Sequence, residues 1–369
     1  MQIILHIGTW KTGSSAIQLF LARNAELLKK QGVFLPSIVQ EELGHTLLFR
    51  ALKSDGPEKE KLLEELRRIG AANPDARIIV SSEHFWPLST EEIAFLAAAL
   101  GSVTTDIRVL AYLRPQDEMW ASIYAQQTKS FRVKPGAPVW GTGDFVAHPI
   151  LEWALYYHKS LGMFEAAFGD GAVTPRLYRR DRFPEKDVIF DFLDFAGIDR
   201  DPAFDRYEGD TNPSFGWKSV AMSLWFVGAA YAQMRQANTM PDIRRAFRAA
   251  IGDMHSRRND PDWLGKAPNV LSPEDRRDIR AHYAADNQAL FDRYFGGKDI
   301  FGQPEERPKT PLDHADIPEA EFNRVRRRML KHFRKAKLDM QGTEDLFRAP
   351  AAPILQGVRK LLSSKAGQG

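Results

Sequence analysis

The chain has no cysteine among its 369 residues. That excludes a disulfide framework, a thiolate metal site and a cysteine nucleophile, and it fits a reducing compartment. Long apolar runs are missing as well: no stretch approaches the roughly 18 to 20 residues that span a bilayer. Met1 to His6 contains no basic segment leading into a long apolar one, so secretion and membrane insertion are not expected and cytoplasmic residence is. Charge of one sign is not in excess, with 51 Lys+Arg against 48 Asp+Glu. Residues 301–369 hold 14 Lys+Arg and 9 Asp+Glu, so residues 1–300 carry −2 of the total +3. A near-neutral body without a recognition motif argues against nucleic acid as a partner. His6, His45, His84, His148 and His158 lack paired ligand spacing, so no metal is expected.

What is present is a repeated strand-to-helix pattern. Gln2 to Ile7 reads as a short buried strand, a Gly/Thr/Ser turn follows, and Ala16 to Gln31 has helical spacing with Ile17, Leu21 and Leu28. Arg77 to Ser82 reads as a strand leading to a helix opened by Ser89-Thr90-Glu91-Glu92, a capping-box pattern. Ile107 to Leu113 is a third strand, followed by a helix with Pro115 near its start. Later segments predict a helix near Ile150 to Phe168, a strand near Ala172 to Tyr178, a helix near Pro184 to Ala196, and an almost wholly helical stretch from Gly216 to Phe295. Ser130 to Pro149, rich in Gly, Pro and Phe, reads as a surface insertion. The expected fold is α/β, a central, mostly parallel sheet between helical layers with a helical C-terminal part. The expected domains are 1–300 and a basic, partly helical tail over 301–369.

The most informative segment is His6-Ile7-Gly8-Thr9-Trp10-Lys11-Thr12-Gly13-Ser14-Ser15. It lies between a strand and a helix, where glycines permit tight turning and backbone N–H groups at the helix start face an anion. Against the pattern G-x-x-x-x-G-K-[ST], Gly8 and Gly13 are in register and Ser15 takes the final hydroxyl position, but Ser14 stands in the lysine's place. The lysine is at Lys11 instead. A nucleoside triphosphate with its magnesium needs the standard lysine and adjacent hydroxyl, so a kinase reading is disfavoured and a smaller anion suits the loop better.

Lys11-Thr12-Gly13-Ser14-Ser15 resembles the K-[ST]-G-[ST]-[ST] loop of sulfotransferases that use 3′-phosphoadenosine 5′-phosphosulfate (PAPS), bacterial members included. Arg114-Pro115 with Ser122 and Tyr124 is similar to that family's 3′-phosphate site, an arginine at a strand end and a serine two helical turns on. The resemblance spans about residues 1–300 and implies a P-loop-like fold and donor binding by Thr9, Lys11, Thr12, Gly13, Ser14, Ser15, Arg114 and Ser122. A softer match, Asn212-Pro213-Ser214 with Trp217-Lys218, implies Ser214, Trp217 and Lys218 near the donor's 3′ side, although Trp217 reads more readily as core packing than as a cover for adenine.

Sulfuryl transfer needs a base for the acceptor proton and a cation for the leaving phosphate oxygen. Lys11 is the expected cation. Members of the family close the second strand with histidine or glutamate, and this chain offers both Glu83 and His84. Adjacent residues at a strand end point oppositely, so one of them faces the donor. Glu83 is the expected base, with His84 the alternative. His45 matches a histidine of related bacterial members that lines the acceptor cleft. The implied activity is transfer of sulfuryl from PAPS to a hydroxyl or amine of a saccharide, glycolipid or small molecule, leaving 3′-phosphoadenosine 5′-phosphate (PAP). The alternative is a non-catalytic anion- or nucleotide-binding scaffold. Its contact would be residues 321–338, where Phe322, Val325, Met329, Phe333 and Ala336 form an apolar stripe amid eight basic residues, suited to weak contact with a membrane surface or an acidic polymer.

Overall fold

The computed structural model describes residues 1–36, 45, 48, 57–129, 154–206, 214–233, 260–265 and 267–335. The insertion expected over Ser130 to Pro149, Asn212-Pro213 and the end of the basic segment from Ala336 lie outside those residues.

Five parallel strands form the main sheet: β1 (Gln2–His6), β2 (Val33–Phe34), β3 (Arg77–Ser81), β4 (Ile107–Leu113) and β5 (Val173–Leu177). Their order is β2-β3-β1-β4-β5. The inner strands are buried on both faces, as Ile3, Ile4, Leu5, Ile78, Ile79, Val80, Val109, Leu110 and Ala111 show, so they read as continuous apolar runs. Among the described residues β5 pairs only with β4, and as an edge strand it tolerates Pro175.

Helices α1 (Ser14–Arg23) and α2 (Ala25–Lys30) follow β1. The continuous helix expected to Gln31 is broken at Asn24, because the amide of Asn24 is committed elsewhere: Nδ2 donates to Phe20 O and Asp205 O, and Oδ1 accepts from the N–H of Asp205. Helix α3 (Pro57–Ala72) precedes β3, and α4 (Thr90–Gly101) has the expected capping box, Ser89 Oγ with the N–H of Glu92 and Glu92 Oε2 with the N–H of Ser89. Helix α5 (Gln116–Lys129) follows β4, and α6 (Tyr157–Phe168) leads to β5. Helix α7 (Val188–Ala196) is capped by Asp187 and packs with α1 on one sheet face, around Ile4, Ile17, Phe20, Ile79, Leu110, Phe192 and Leu193. The expected helix start at Pro184 is a short 3-10 turn ahead of that cap.

The chain divides into two compact units, residues 1–119, 145–211 and 278–303, and residues 120–144, 212–277 and 304–369. The first holds the parallel sheet and α10 (Ala284–Tyr294). In the second, β6 (Ser214–Phe215) pairs antiparallel with β7 (Leu264–Gly265), followed by α8 (Trp217–Gln233). The helical run expected from Gly216 to Phe295 is therefore interrupted by β7 and by the non-helical residues up to α9 (Pro273–His282). Gly216 is needed there, since a Cβ would lie 2.2 Å from Asp262 O. Helix α11 (Glu319–Lys335) belongs to this unit: Phe322 packs edge-on against Trp225, and Glu321 Oε2 takes a hydrogen bond from Lys218 Nζ at 3.0 Å. The tail expected from 301 onward thus shares its packing with residues before that bound. Arg324, Arg327, Arg328 and Lys331 occupy the exposed side of α11. Among the described residues no helix is long and apolar enough to cross a membrane.

Candidate functional site

The order of the sheet locates the crevice before any side chain is considered. The chain leaves β1 toward β2 and leaves β4 toward β5, in opposite directions, so a crevice opens at the carboxyl ends of these two neighbours. The loop after β1 and Arg114 after β4 both lie there.

The loop is bound to β4 beyond the regular ladder. Tyr112 N–H donates to Gly8 O at 2.7 Å, and both the N–H and the hydroxyl of Thr9 donate to Tyr112 O, at 3.1 and 3.0 Å. Thr12 Oγ1 donates to Thr9 O at 2.7 Å, closing the turn on itself. Thr9 and Thr12, both expected to meet the ligand, are buried and spend their hydroxyl protons on shaping the loop. Lys11 has φ 59, inside the turn. Gly13, with φ 81, caps α1 without a side chain, which leaves the first-turn N–H groups with no side-chain acceptor. Any larger residue at Gly13 would meet Tyr178, whose Cε2 is 2.9 Å from the site of a Cβ.

Glu83 sits directly against this loop. A Cβ on Gly8 would lie 3.2 Å from Glu83 Cα, and Ser14 Oγ donates to Glu83 Oε2 at 2.7 Å. The local conformation differs from the strand end expected: β3 stops at Ser81, and Glu83–Phe85 form a 3-10 turn capped by Ser82, whose Oγ accepts from the N–H of His84. The two candidates are therefore set apart by a turn rather than by strand alternation. Glu83 is half-buried against the loop, and His84 is exposed. Ser15 is exposed at the start of α1.

Below Glu83, Ser81 joins two histidines. His6 Nδ1 lies 2.8 Å from Ser81 Oγ, and His45 Nδ1 accepts from the N–H of Ser81 at 3.1 Å while the N–H of His45 donates to Ser81 O at 3.0 Å. The proton of His45 is consequently on Nε2. His45 is 3% exposed and the Nε2 atoms of both rings are buried without a hydrogen-bond partner among the described residues. Burial lowers the pKa of His6 to about 3. Burial also lowers that of His45, to about 4, against the opposing hydrogen bond with Ser81. Sequence reasoning found His45 but not the link through Ser81 and His6, for which a strand-terminal Ser and His are the sole signal.

Arg114 is tied to the loop by Nη1, which donates to Lys11 O at 3.3 Å, and its own carbonyl accepts from Tyr157 Oη at 2.8 Å. Its guanidinium carbon lies 5.6 Å from the Tyr178 ring centroid. Nε of Arg114 is buried with no acceptor among the described residues. Lys11, Ser14, Glu83 and Arg114 are thus brought together in the first unit. Ser122, half-buried on α5, and Ser214, Trp217 and Lys218 belong to the second. There Lys218, 9% exposed, is held by Glu321 and by Asp262 at 3.5 Å. Among the described residues no group of three or more potential ligands could hold a metal ion.

No family model matches the chain. An uncharacterised protein of Archaeoglobus fulgidus is 28% identical over 250 residues, which cover 67% of this chain and 62% of that one. The chain therefore spans less than two thirds of the curated relative it matches. Among solved structures, a sulfotransferase from Alicyclobacillus acidocaldarius is 17% identical with a TM-score of 0.36, over 68% of this chain and 95% of that one. The α/β class follows from the parallel sheet and its flanking helices; the chemistry has to be argued from the loop and the groups around it.

Proposed function

We propose that the protein is a sulfotransferase that takes PAPS as donor and passes its sulfuryl group to a hydroxyl-bearing acceptor of saccharide, glycolipid or small-molecule class. One observation carries the reading: a half-buried carboxylate, Glu83, is hydrogen-bonded to Ser14 of a strand-to-helix anion loop at a sheet switch point. The residues fit a donor of this kind. The uncapped start of α1 and the orphaned Nε of Arg114 both call for anionic oxygens.

In this reading the loop from Thr9 to Ser15 holds the 5′-phosphosulfate and Arg114 the 3′-phosphate. Ser122, Ser214, Trp217 and Lys218 enter on the family resemblance alone. Glu83 accepts the acceptor's hydroxyl proton as its oxygen attacks sulfur, and the bond from sulfur to the 5′-phosphate oxygen breaks. Lys11 and the N–H groups of α1 neutralise the charge that develops on that oxygen. Ser14 aims the Glu83 carboxylate. His45, which is buried, enters on the family resemblance alone, and His84 stands by as the second candidate base.

Titration calorimetry without magnesium tests donor binding: PAP is expected to bind, ATP to bind much more weakly, and Arg114→Ala to lose PAP. Equal affinity for ATP, or an indifferent Arg114→Ala, defeats the assignment. Turnover of labelled PAPS with candidate acceptors separates an enzyme from a scaffold, which would bind the nucleotide and never consume it.

A further inference from the structure

A second guanidinium stands beside Arg114, and no motif announces it. β5 pairs with β4, and Tyr178 N–H donates to Leu113 O at 2.7 Å, extending that ladder one step past the strand ends. Arg179 comes next. Between Arg114 and Arg179 lies the carboxylate of Glu118: Oε2 is 3.3 Å from Arg114 Nη2, and Oε1 is 3.6 Å from Arg179 Nη2. Each carboxylate oxygen faces a different arginine. Asp181, at 4.0 Å from Arg179 Nε, is the other acid here, and it is 70% exposed.

The three side chains are 24%, 34% and 31% exposed for Arg114, Arg179 and Glu118, so a solute can reach them. A carboxylate spanning two guanidinium groups is a smaller version of a phosphate monoester, which brings three oxygens and nearly two negative charges at neutral pH. Two planar forks offer more donors than Glu118 can satisfy, and the buried Nε of Arg114 is one that it leaves over. Exposed ion pairs at such separations hold weakly, so the internal anion is displaceable.

We infer that Arg114 and Arg179 form a clamp for a phosphate monoester, with Glu118 as the internal counter-anion that the ligand displaces. This rests on the donor reading above and sharpens it: the monoester is the 3′-phosphate of the donor, and the clamp makes the site choose nucleotides that carry one. Arg179 is then a binding residue and Glu118 a competitor.

The test compares PAP with adenosine 5′-monophosphate, which lacks the 3′-phosphate, by calorimetry on the wild type and on Arg179→Ala, Arg179→Lys and Glu118→Gln. Charge-assisted hydrogen bonds of this kind correspond to about 10- to 100-fold in affinity. Arg179→Ala is expected to weaken PAP by about that factor and the monophosphate by less than about twofold. Arg179→Lys should recover part of the loss, and Glu118→Gln should tighten PAP. An Arg179→Ala variant that leaves PAP unchanged, or weakens both nucleotides alike, overturns the clamp, as does a Glu118→Gln variant that loses PAP. If the wild type binds neither nucleotide, the donor reading fails by itself. Inorganic phosphate titrated into the same proteins then decides the clamp: loss of phosphate binding in Arg179→Ala supports it, and indifference ends it.

Discussion

Glu83 and Ser14 share a bond of 2.7 Å, which gives each a separable effect. Glu83→Gln keeps the shape and removes the proposed base, so turnover is expected to fall by about 10²- to 10⁴-fold while PAP affinity holds. Ser14→Ala frees the carboxylate from its orientation, with a smaller loss, read from kcat. His84, exposed, should tolerate Ala within a few-fold; a His84→Ala loss as large as that of Glu83→Gln would reassign the base. Gly8 adds a steric check, since a Cβ there would press on Glu83 at 3.2 Å from its Cα, in a backbone with φ 96. Within the candidate site, the placement of Lys11, Ser14, Arg114 and the glycines at one sheet end was legible in the sequence, because a loop is written in consecutive residues. Arg179 and Glu118 were not, because their meeting depends on which strands are neighbours, and Arg114 reads the same with or without them.

Among the elements, the inner strands β1, β3 and β4 were legible to within a residue or so, because burial on both faces leaves an uninterrupted apolar run. The two-residue strands β2, β6 and β7 were not, since they are too short to carry a period. The break between α1 and α2 was also invisible, because it is made by the backbone of Asp205, far along the chain. Asn24→Ala removes three hydrogen bonds at a position 2% exposed and is expected to cost about 2 kcal/mol in urea unfolding. On α11, Glu321→Ala takes from the buried Lys218 its shortest ion pair and leaves it the half-exposed Asp262 and the charge of Asp260, for an expected loss of about 3 kcal/mol. Removing an exposed cation of the same helix, as in Arg328→Ala, should change stability by less than about 0.5 kcal/mol.

At the scale of the whole molecule, two buried histidines tie stability to pH. His6 and His45 titrate near 3 and 4 when folded and near 6.5 when unfolded, so they are neutral in both states above about pH 7. As pH falls below 6.5 the unfolded chain takes up protons that the folded one refuses. Each histidine then costs about 1.4 kcal/mol per pH unit, until the folded value is reached. Denaturant unfolding at pH 7.5, 6.0 and 5.0 should show that decline, and His45→Gln should make it shallower by about 1.4 kcal/mol per unit between 6.0 and 5.0. The central place of β1 has a consequence in time. Its two neighbours are supplied by Arg77–Ser81 and Ile107–Leu113, so the earliest strand of the sheet waits, apolar and unpaired, until both have been made. The loop waits with it, since Thr9 is anchored on Tyr112. If the loop binds the donor as proposed, that binding requires β1 and β4 to be paired, and the recovery of nucleotide affinity after a denaturant jump would report that pairing.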